Sequence, residues 1–285
     1  MATKTMTDLT ILTELPEGSL VLVHDGNGTK TITVENLLAE HTDILEVLTY
    51  SGSGLHNGIF RGKYLGDSVT DEQWEQIEAG TFDDLWVGDY WIIDGFTYRI
   101  AGINYYYGIG DTECTTYHLV IVPDECILTS QAMNSSNTTS GAYVGSAMYT
   151  DVLPEALEIV ESAFGSTHIL TKREYLNNTI TSGYPSAASW YDSQIELMSE
   201  PMVYGSYIMS PANYLGSTIP QLRTVSNAQL PLFALRHDLI CNRASYWLRD
   251  VVSSTNFAYV YYNGLASTVG ASNTRGVRPA FCIAA

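Results

Sequence analysis

Residues 241–283 read CNRASYWLRDVVSSTNFAYVYYNGLASTVGASNTRGVRPAFCI, and the rest of the chain reads as a scaffold that presents them. Near the middle sits Asn263-Gly264, a strong short-range hairpin signal, because both residues accept positive φ in a type I′ turn. On its N-terminal side runs Phe257-Ala258-Tyr259-Val260-Tyr261-Tyr262. Strand side chains alternate between faces. Ala258 and Val260 therefore share one face, suited to burial, and Tyr259 and Tyr261 share the other, suited to contact with something outside. From Cys241 to Arg275 the only residue drawn from Lys, Glu, Gln, Met and Trp is Trp247. Those types make up roughly a fifth of average usage, so about seven would be expected in such a window.

The frame formed by Tyr246-Trp247-Leu248-Arg249-Asp250, then Phe257-Ala258, Val260, Gly264 and Ala266, then Gly276-Val277-Arg278-Pro279-Ala280-Phe281, carries a resemblance. It resembles the C-terminal module of the C-type-lectin-fold variable proteins of diversity-generating retroelements, which include phage tropism determinants. It is similar, more widely, to a bacterial and phage module related to the formylglycine-generating-enzyme fold. In the retroelement family, Asn codons scatter over residue types that exclude Lys, Glu, Gln, Met and Trp, and the depleted window fits that rule. The resemblance covers the last fifty or so residues firmly and everything from about Phe60 loosely. It implies an α+β chain with a C-type lectin fold and large ordered loops, preceded by a small β-hairpin-plus-helix module. It also implies a ligand-binding surface made of Ala244, Ser245, Tyr246, Ser254, Thr255, Asn256, Tyr259, Tyr261, Tyr262, Asn263, Leu265, Ser267, Thr268, Asn273, Thr274 and Arg275. Trp247, Leu248, Ala258, Val260, Ala266, Val277 and Pro279 would be the buried frame.

The chain of 285 residues is long enough to bury a substantial core. Its 31 acidic against 13 basic residues give a net charge of −18, which argues against nucleic acid and anionic membrane surfaces, since both call for basic patches. Tyrosine is abundant at 20 residues, and tyrosine-, serine- and glycine-rich surfaces suit adaptable binding. Met1-Ala2-Thr3-Lys4-Thr5 leads into no apolar signal segment, and no apolar run reaches membrane-spanning length. The expectation is a chain made in a bacterial cytoplasm without a signal peptide. Cys114, Cys126, Cys241 and Cys282 show neither CxxC nor metal spacing. They are expected as free or buried thiols, with a Cys114–Cys126 bridge as the alternative.

Along the chain, residues 1–50 read as a separate unit. Strands over 19–24 and 29–34 flank Asp25-Gly26-Asn27-Gly28, and a short helix is expected over 35–48. This unit resembles a module recurrent near the N-termini of phage fibre and decoration proteins, and a generic hairpin-helix fits equally well. Alone it would be marginally stable, so a partner or oligomerisation is expected. Residues 51–58 read as a Gly/Ser linker, and 59–285 as the second, ligand-binding domain. There Thr70 and Gln73 announce a capping box for a helix to about Ala79, ended by Gly80. Strands are expected over 86–93 and 96–103 around Asp94-Gly95, and over 117–122 before Pro123. Tyr105-Tyr106-Tyr107 is read as partly buried packing. Helices are expected over 142–148, over 154–164 up to Gly165, and from Thr171. Residues 183–229 show weak periodicity and read as irregular.

No catalytic constellation is present: neither G-x-S-x-G, P-loop, H-E-x-x-H nor a dinucleotide fingerprint. His237-Asp238 reads as structural rather than as a base with its orienter. Asp83, Asp84 and Asp89 lack EF-hand spacing and read as a solvated acidic turn rather than a calcium site. Arg249 and Arg278 read as internal forks that tie loops through carboxylates such as Asp250. Cys241 and Cys282 do not occupy the positions of the reactive pair in the formylglycine-generating family, so that activity is not carried over. The expectation is a non-enzymatic phage or prophage protein without cofactor or metal. The N-terminal module would join it to virion proteins, as a homo-oligomer, a trimer. The variable surface would recognise a host-cell protein or glycan. The alternative is a structural capsid or tail decoration protein with no external ligand.

Overall fold

A computed structural model describes residues 20–24, 29–33, 53–211 and 228–285. The chain divides into two compact units, Met1–Tyr50 and Ser51–Ala285. In the first, β1 (Leu20–His24) and β2 (Thr29–Thr33) pair antiparallel, from Leu20↔Thr33 to His24↔Thr29. The turn at 25–28 and the helix expected over 35–48 lie outside the described residues.

The second unit is α+β and dominated by sheet. Its residues 53–58 are not a linker. Ser53–His56 forms a helical turn, α1. His56 is buried, stacks on Trp86 at 3.9 Å and bonds Leu85 O through Nδ1 at 2.8 Å. Asn57 bonds both backbone groups of Ile103 at 2.8 Å. These two polar side chains pin the segment down in a way that its Gly/Ser composition conceals.

Strand β3 (Tyr64–Gly66) leads to α2 (Asp71–Ala79), where Thr70 and Gln73 form the expected capping box and Gly80 ends the helix at φ 71°. The strands β4 (Tyr90–Ile93) and β5 (Phe96–Ile103) meet at Asp94-Gly95, both at positive φ as a type I′ turn requires. Strand β4 begins later than expected. The Asp89 carboxylate accepts from the backbone N–H of Trp86 and Lys63 and holds 86–89 in a turn. Next come β6 (Leu119–Pro123), β7 (Leu128–Ala132) and α3 (Leu153–Phe164), the last entered through a π turn at Met148–Val152. Residues 142–146 are not helical: Gly141 and Ala142 take positive φ, and the backbones of Gly141 and Gly145 pack too closely for a Cβ on Gly145. Helix α3 buries Leu153, Ala156, Val160 and Phe164, one face at helical spacing.

A helix from Thr171 is not formed. Strands β8 (Lys172–Thr181) and β9 (Tyr184–Ser193) make a long antiparallel hairpin, closed by Ser182-Gly183 at φ 54° and 83°. Strand β10 (Ile195–Leu197) and helix α4 (Glu200–Tyr204) give further order to the stretch expected to be irregular. After helix α5 (Pro231–Leu235) come β11 (Tyr246–Val251), β12 (Asn256–Val260), β13 (Ala266–Gly270), β14 (Thr274–Val277) and β15 (Pro279–Ile283).

Two larger sheets result, in the orders β10-β15-β6-β5-β4-β3 and β13-β12-β11-β14-β7. Two apolar clusters share the core. Tyr98, Ile100, Ile121, Phe281 and α3 belong to one; Ala101, Val120, Val122, Ala280, Cys282 and α5 belong to the other. Alternate residues of β5, β6 and β15 fall into opposite clusters, so the middle of the six-stranded sheet is covered on both faces. That is why β6 is a continuous apolar run.

The hairpin β8–β9 carries charge into this core. Arg249 Nη1 donates to Glu174 Oε2 at 3.3 Å, and Lys172 Nζ lies 3.6 Å from Glu174 Oε1, all buried. Burial pulls the Glu174 carboxyl up, but Arg249 and Lys172 pull harder and hold it below the usual range. Glu196 on β10 accepts from Tyr143 Oη and Ser193 Oγ, each at 2.7 Å. Burial pushes its carboxyl up from 4.5 to about 6, with Glu174 adding to the rise and Arg249 and Lys172 opposing it.

Below 4.5 the folded and unfolded chains both hold the Glu196 proton, and above 6 the folded chain holds a disfavoured charge. Glu196→Gln keeps the shape and one acceptor oxygen without the charge, its amide NH2 resembling the O–H of the protonated acid as a donor. Its melting temperature is expected to exceed the parent's near about pH 7.5 and to match it near about pH 4. Glu174 has the opposite slope but is common to both proteins. Melting curves with the same offset at both pH values would show that Glu196 does not ionise at a cost.

Candidate functional site

Residues 241–275 supply β11, β12, β13 and the start of β14, and the two central strands decide which side chains can face outward. Trp247 pairs with Tyr259 and Tyr246 with Val260 across β11–β12. Ser267 pairs with Tyr259 across β12–β13. Directly opposed residues share a face. On one face Tyr246, Leu248, Ala258 and Val260 join the cluster around α5. On the other Trp247, Val251, Phe257 and Tyr259 join the cluster around α3.

The alternation is as expected, but the tyrosine face is not open. Tyr259 is only 6% exposed. Trp247 meets it edge-on at 6.1 Å, and the Arg275 guanidinium lies over its ring at 4.6 Å. Tyr246 is fully buried, its Oη donating to Ile240 O at 2.9 Å. Both residues therefore leave the expected contact surface and join the frame. Of the expected frame, Trp247, Leu248, Ala258, Val260, Val277 and Pro279 are buried, whereas Ala266 on the edge strand β13 is half-buried. Trp247 Nε1 donates to Gln131 O at 2.7 Å, which joins β11 to β7.

The turn differs in type from the one expected. Gly264 N donates to Tyr261 O, and Tyr261 N to Leu265 O, both at 2.8 Å. Gly264 alone has positive φ, at 90°, so Tyr262 and Asn263 are the centre of a type I turn followed by a glycine bulge. The turn is tied down from outside as well. Tyr204 Oη donates to Gly264 O at 3.0 Å, and Cys241 Sγ to Tyr262 O at 3.1 Å. On this braced turn Tyr261, Tyr262 and Leu265 are 39%, 52% and 64% exposed. The rings of Tyr261 and Tyr262 pack at 4.4 Å. Asn263 is exposed beside them.

Next to the turn is a cleft of about 460 Å³ lined by Cys126, Thr129, Ser130, Ala244, Ser245, Tyr261, Thr274, Arg275 and Gly276. Five of the expected surface residues, Ala244, Ser245, Tyr261, Thr274 and Arg275, thus converge on one concavity. Cys126, Thr129 and Ser130 at the β6–β7 end were not expected there. Gly276 makes the junction possible, because a Cβ on it would stand 2.4 Å from Cys126 Sγ. Ser254, Thr255 and Asn256 lie at the other end of β12, roughly 15–20 Å away at strand rise. Ser254 and Thr255 are exposed there, with Ser254 O accepting from Thr139 N. Asn273, exposed, is anchored to Gly270 O. Ser267 and Thr268 are half-buried on β13. The expected set therefore forms a turn-and-cleft group and a second group beyond the opposite end of the strand.

Other candidates resolve into scaffold. Asp84 and Asp89 are held by Arg61, and Asp84 also by Lys63, so the acidic turn is an ion-pair cluster rather than a calcium loop. Asp238 pairs with Arg236 at 2.7 Å rather than with His237. Arg249 is indeed internal, and it makes an ion pair with Glu174. Asp250 Oδ2 accepts from Glu200 N at 2.6 Å. Arg278 binds backbone carbonyls: Nε donates to Pro123 O at 2.7 Å and Nη1 to Leu239 O at 3.0 Å. All four cysteines are free, so the alternative Cys114–Cys126 bridge is not formed. Of the three consecutive tyrosines, Tyr106 is buried and Tyr107 exposed.

The frame and the tip are separable by truncation. Trp247→Ala and Tyr259→Ala are each expected to lose about 3–5 kcal/mol of unfolding free energy, because each leaves a cavity. Tyr262→Ala is expected to stay within about 0.5 kcal/mol of the parent. Urea unfolding monitored by circular dichroism measures all three. A Tyr259→Ala protein as stable as the parent would show that this ring is not part of the core.

A family model described as a domain of unknown function, DUF6273, matches residues 207–285, the stretch that contains α5 and β11 to β15. No curated protein and no solved structure matches the chain.

Proposed function

We propose that this chain is a virion-associated binding protein of a phage or prophage, with a C-type-lectin-like second domain that presents a diversified surface to a host-cell ligand. The observation that carries the reading is the braced turn at Tyr261–Leu265. It holds two adjacent tyrosines and a leucine in solvent beside a cleft built from the same depleted stretch of sequence. Adjacent exposed apolar side chains rimmed by polar groups and beside a cleft suit an interaction site. Tyrosines offer large contact area at low entropy cost, and a turn fixed before binding loses little freedom on contact. The acidic balance of the chain is compatible with a protein or glycan partner and opposes nucleic acid. In this reading residues 1–50 attach the protein to the particle as a trimer.

The coding locus tests the diversification. A near-copy of the segment encoding 241–275 is expected beside a reverse transcriptase gene, differing mainly at adenines. Substitutions across isolates are expected at Ala244, Ser254, Thr255, Tyr261, Tyr262, Asn263, Leu265 and Thr274, while Trp247, Leu248 and Val277 stay constant. A locus without the repeat, with substitutions spread evenly, would favour a decoration protein with no external ligand.

The binding role is tested separately with labelled full-length protein and host cells. The double variant Tyr261→Ala, Tyr262→Ala is expected to weaken attachment by about 30-fold or more, as for a pair of aromatic anchors worth at least 2 kcal/mol together, with its melting temperature unchanged. Undiminished attachment would remove the turn from the interface. Light scattering of the same protein is expected to give a trimer, and a monomer at micromolar concentration would exclude the oligomeric part of the reading.

A further inference from the structure

The cleft beside the turn has a chemistry that narrows what it would hold, and this inference rests on the binding role proposed above. Its lining contains the hydroxyls of Thr129, Ser130, Ser245 and Thr274, the ring of Tyr261, and one cation, Arg275. No acidic side chain lines it, although acidic residues outnumber basic ones by 31 to 13 over the chain. The two acids next to Cys126 in sequence are engaged elsewhere: Glu125 accepts from Thr97 N, and Asp124 pairs with Arg99. Arg61, Arg99, Arg173, Arg236 and Arg249 each meet a carboxylate. Arg243 and Arg278 pair with none among the described residues, Arg278 being spent on backbone carbonyls, and Arg275 likewise meets none. It is held in place by other means, with its guanidinium over the Tyr259 ring and Nη1 donating to Thr274 O at 2.6 Å. It is an oriented cation in an acidic protein, with its charge unmatched.

We propose that this cleft binds a carboxylate-bearing sugar residue. Arg275 takes the carboxylate through a charge-assisted pair. The four hydroxyl side chains exchange hydrogen bonds with the ring hydroxyls, and Tyr261 packs against the C–H face of the sugar. A volume of about 460 Å³ admits a single sugar ring with room for part of its neighbour. An acidic peptide is less well served. Adding a peptide strand needs a regular extended edge, and the edge strand at the cleft, β7, is broken by Ser130 at φ 58°.

The test is calorimetric titration of the full-length protein with methyl β-glucuronide, methyl β-galacturonide and methyl N-acetylneuraminide. Methyl β-glucoside and methyl β-galactoside serve as neutral twins, and acetate as the carboxylate without a ring. At least one acidic sugar is expected to bind about tenfold or more tighter than its neutral twin, or for the neuraminide than either neutral glycoside, and also than acetate. Arg275→Gln is expected to abolish the preference. Arg275→Met keeps an unbranched cover over Tyr259 without the charge, so it should abolish the preference too while guarding against a variant that merely loosens the core. Ser130→Ala should weaken the acidic sugar and its neutral twin alike.

Equal binding of acidic and neutral sugars would overturn the proposal. So would acetate binding as well as the sugars, no binding of any acidic sugar at millimolar concentration, or a preference that survives both Arg275 variants. If these sugars fail while Tyr261→Ala, Tyr262→Ala still abolishes cell attachment, the sugar assignment falls and the binding role stands. If attachment never occurs, it is the binding role that falls.

Discussion

The second unit depends on one constraint: β11 and β12 are sealed on both faces. Tyr246, Leu248, Ala258 and Val260 look into one apolar cluster, and Trp247, Val251, Phe257 and Tyr259 into the other. A strand in that position has no side chain to spare for a ligand. It can offer the solvent only its ends and the loops that leave them. The candidate surface is therefore a turn and a cleft at one end of β12, with a separate exposed connection at the other, rather than the flat of the sheet. The exposed turn residues then lie where substitutions are cheap, and residues that hold the backbone lie where they are expensive.

The ends are not loose. Arg278 gathers the carbonyls of Pro123 and Leu239, with the Phe233 and Tyr246 rings at 5.5 and 5.2 Å. It links the end of β6, the segment after α5 and the beginning of β11 through one fork of donors, a role that a lysine could not fill with a single ammonium. The turn at Tyr261–Leu265 is braced by Tyr204 and Cys241, which lie outside the hairpin. Rigid backbone with exposed aromatic tips lowers the entropy lost on contact. Arg275 couples the two roles, since the guanidinium that covers Tyr259 also lines the cleft. Change at Arg275 is accordingly constrained in a way that change at Tyr262 is not.

A different device holds β8–β9 in place. Lys172, Glu174 and Leu176 alternate inward, and the first two are charged. Burying them is tolerable because Arg249 and the ion pair within the hairpin compensate the lost hydration. Glu196, also buried, has hydroxyl donors, yet burial keeps its carboxyl above the usual range.

Local rules alone determined a good deal of this protein. The Thr70–Gln73 box, Gly80, the Asp94-Gly95 turn, the apolar face of α3 and the alternation in 257–260 all follow from interactions within a few residues, and the chain obeys each of them. Tertiary structure decided what those rules cannot reach. The stretch from Thr171 reads as the start of a helix, because the buried partner of Lys172 and Glu174 is Arg249, far along the chain, and without it the inward period of β8 is not visible. Tyr259 occupies a face that sequence assigns to solvent, and only the arrival of Arg275 and Trp247 closes it. Asn263 suits a positive φ but does not take one, because the bulge at Gly264 satisfies the twist of the strands. The cleft joins Thr129 and Ser130 to Ala244 and Arg275, residues more than a hundred positions apart in sequence. Side-chain type and spacing specify the elements; which faces remain open depends on partners that only the folded chain brings together.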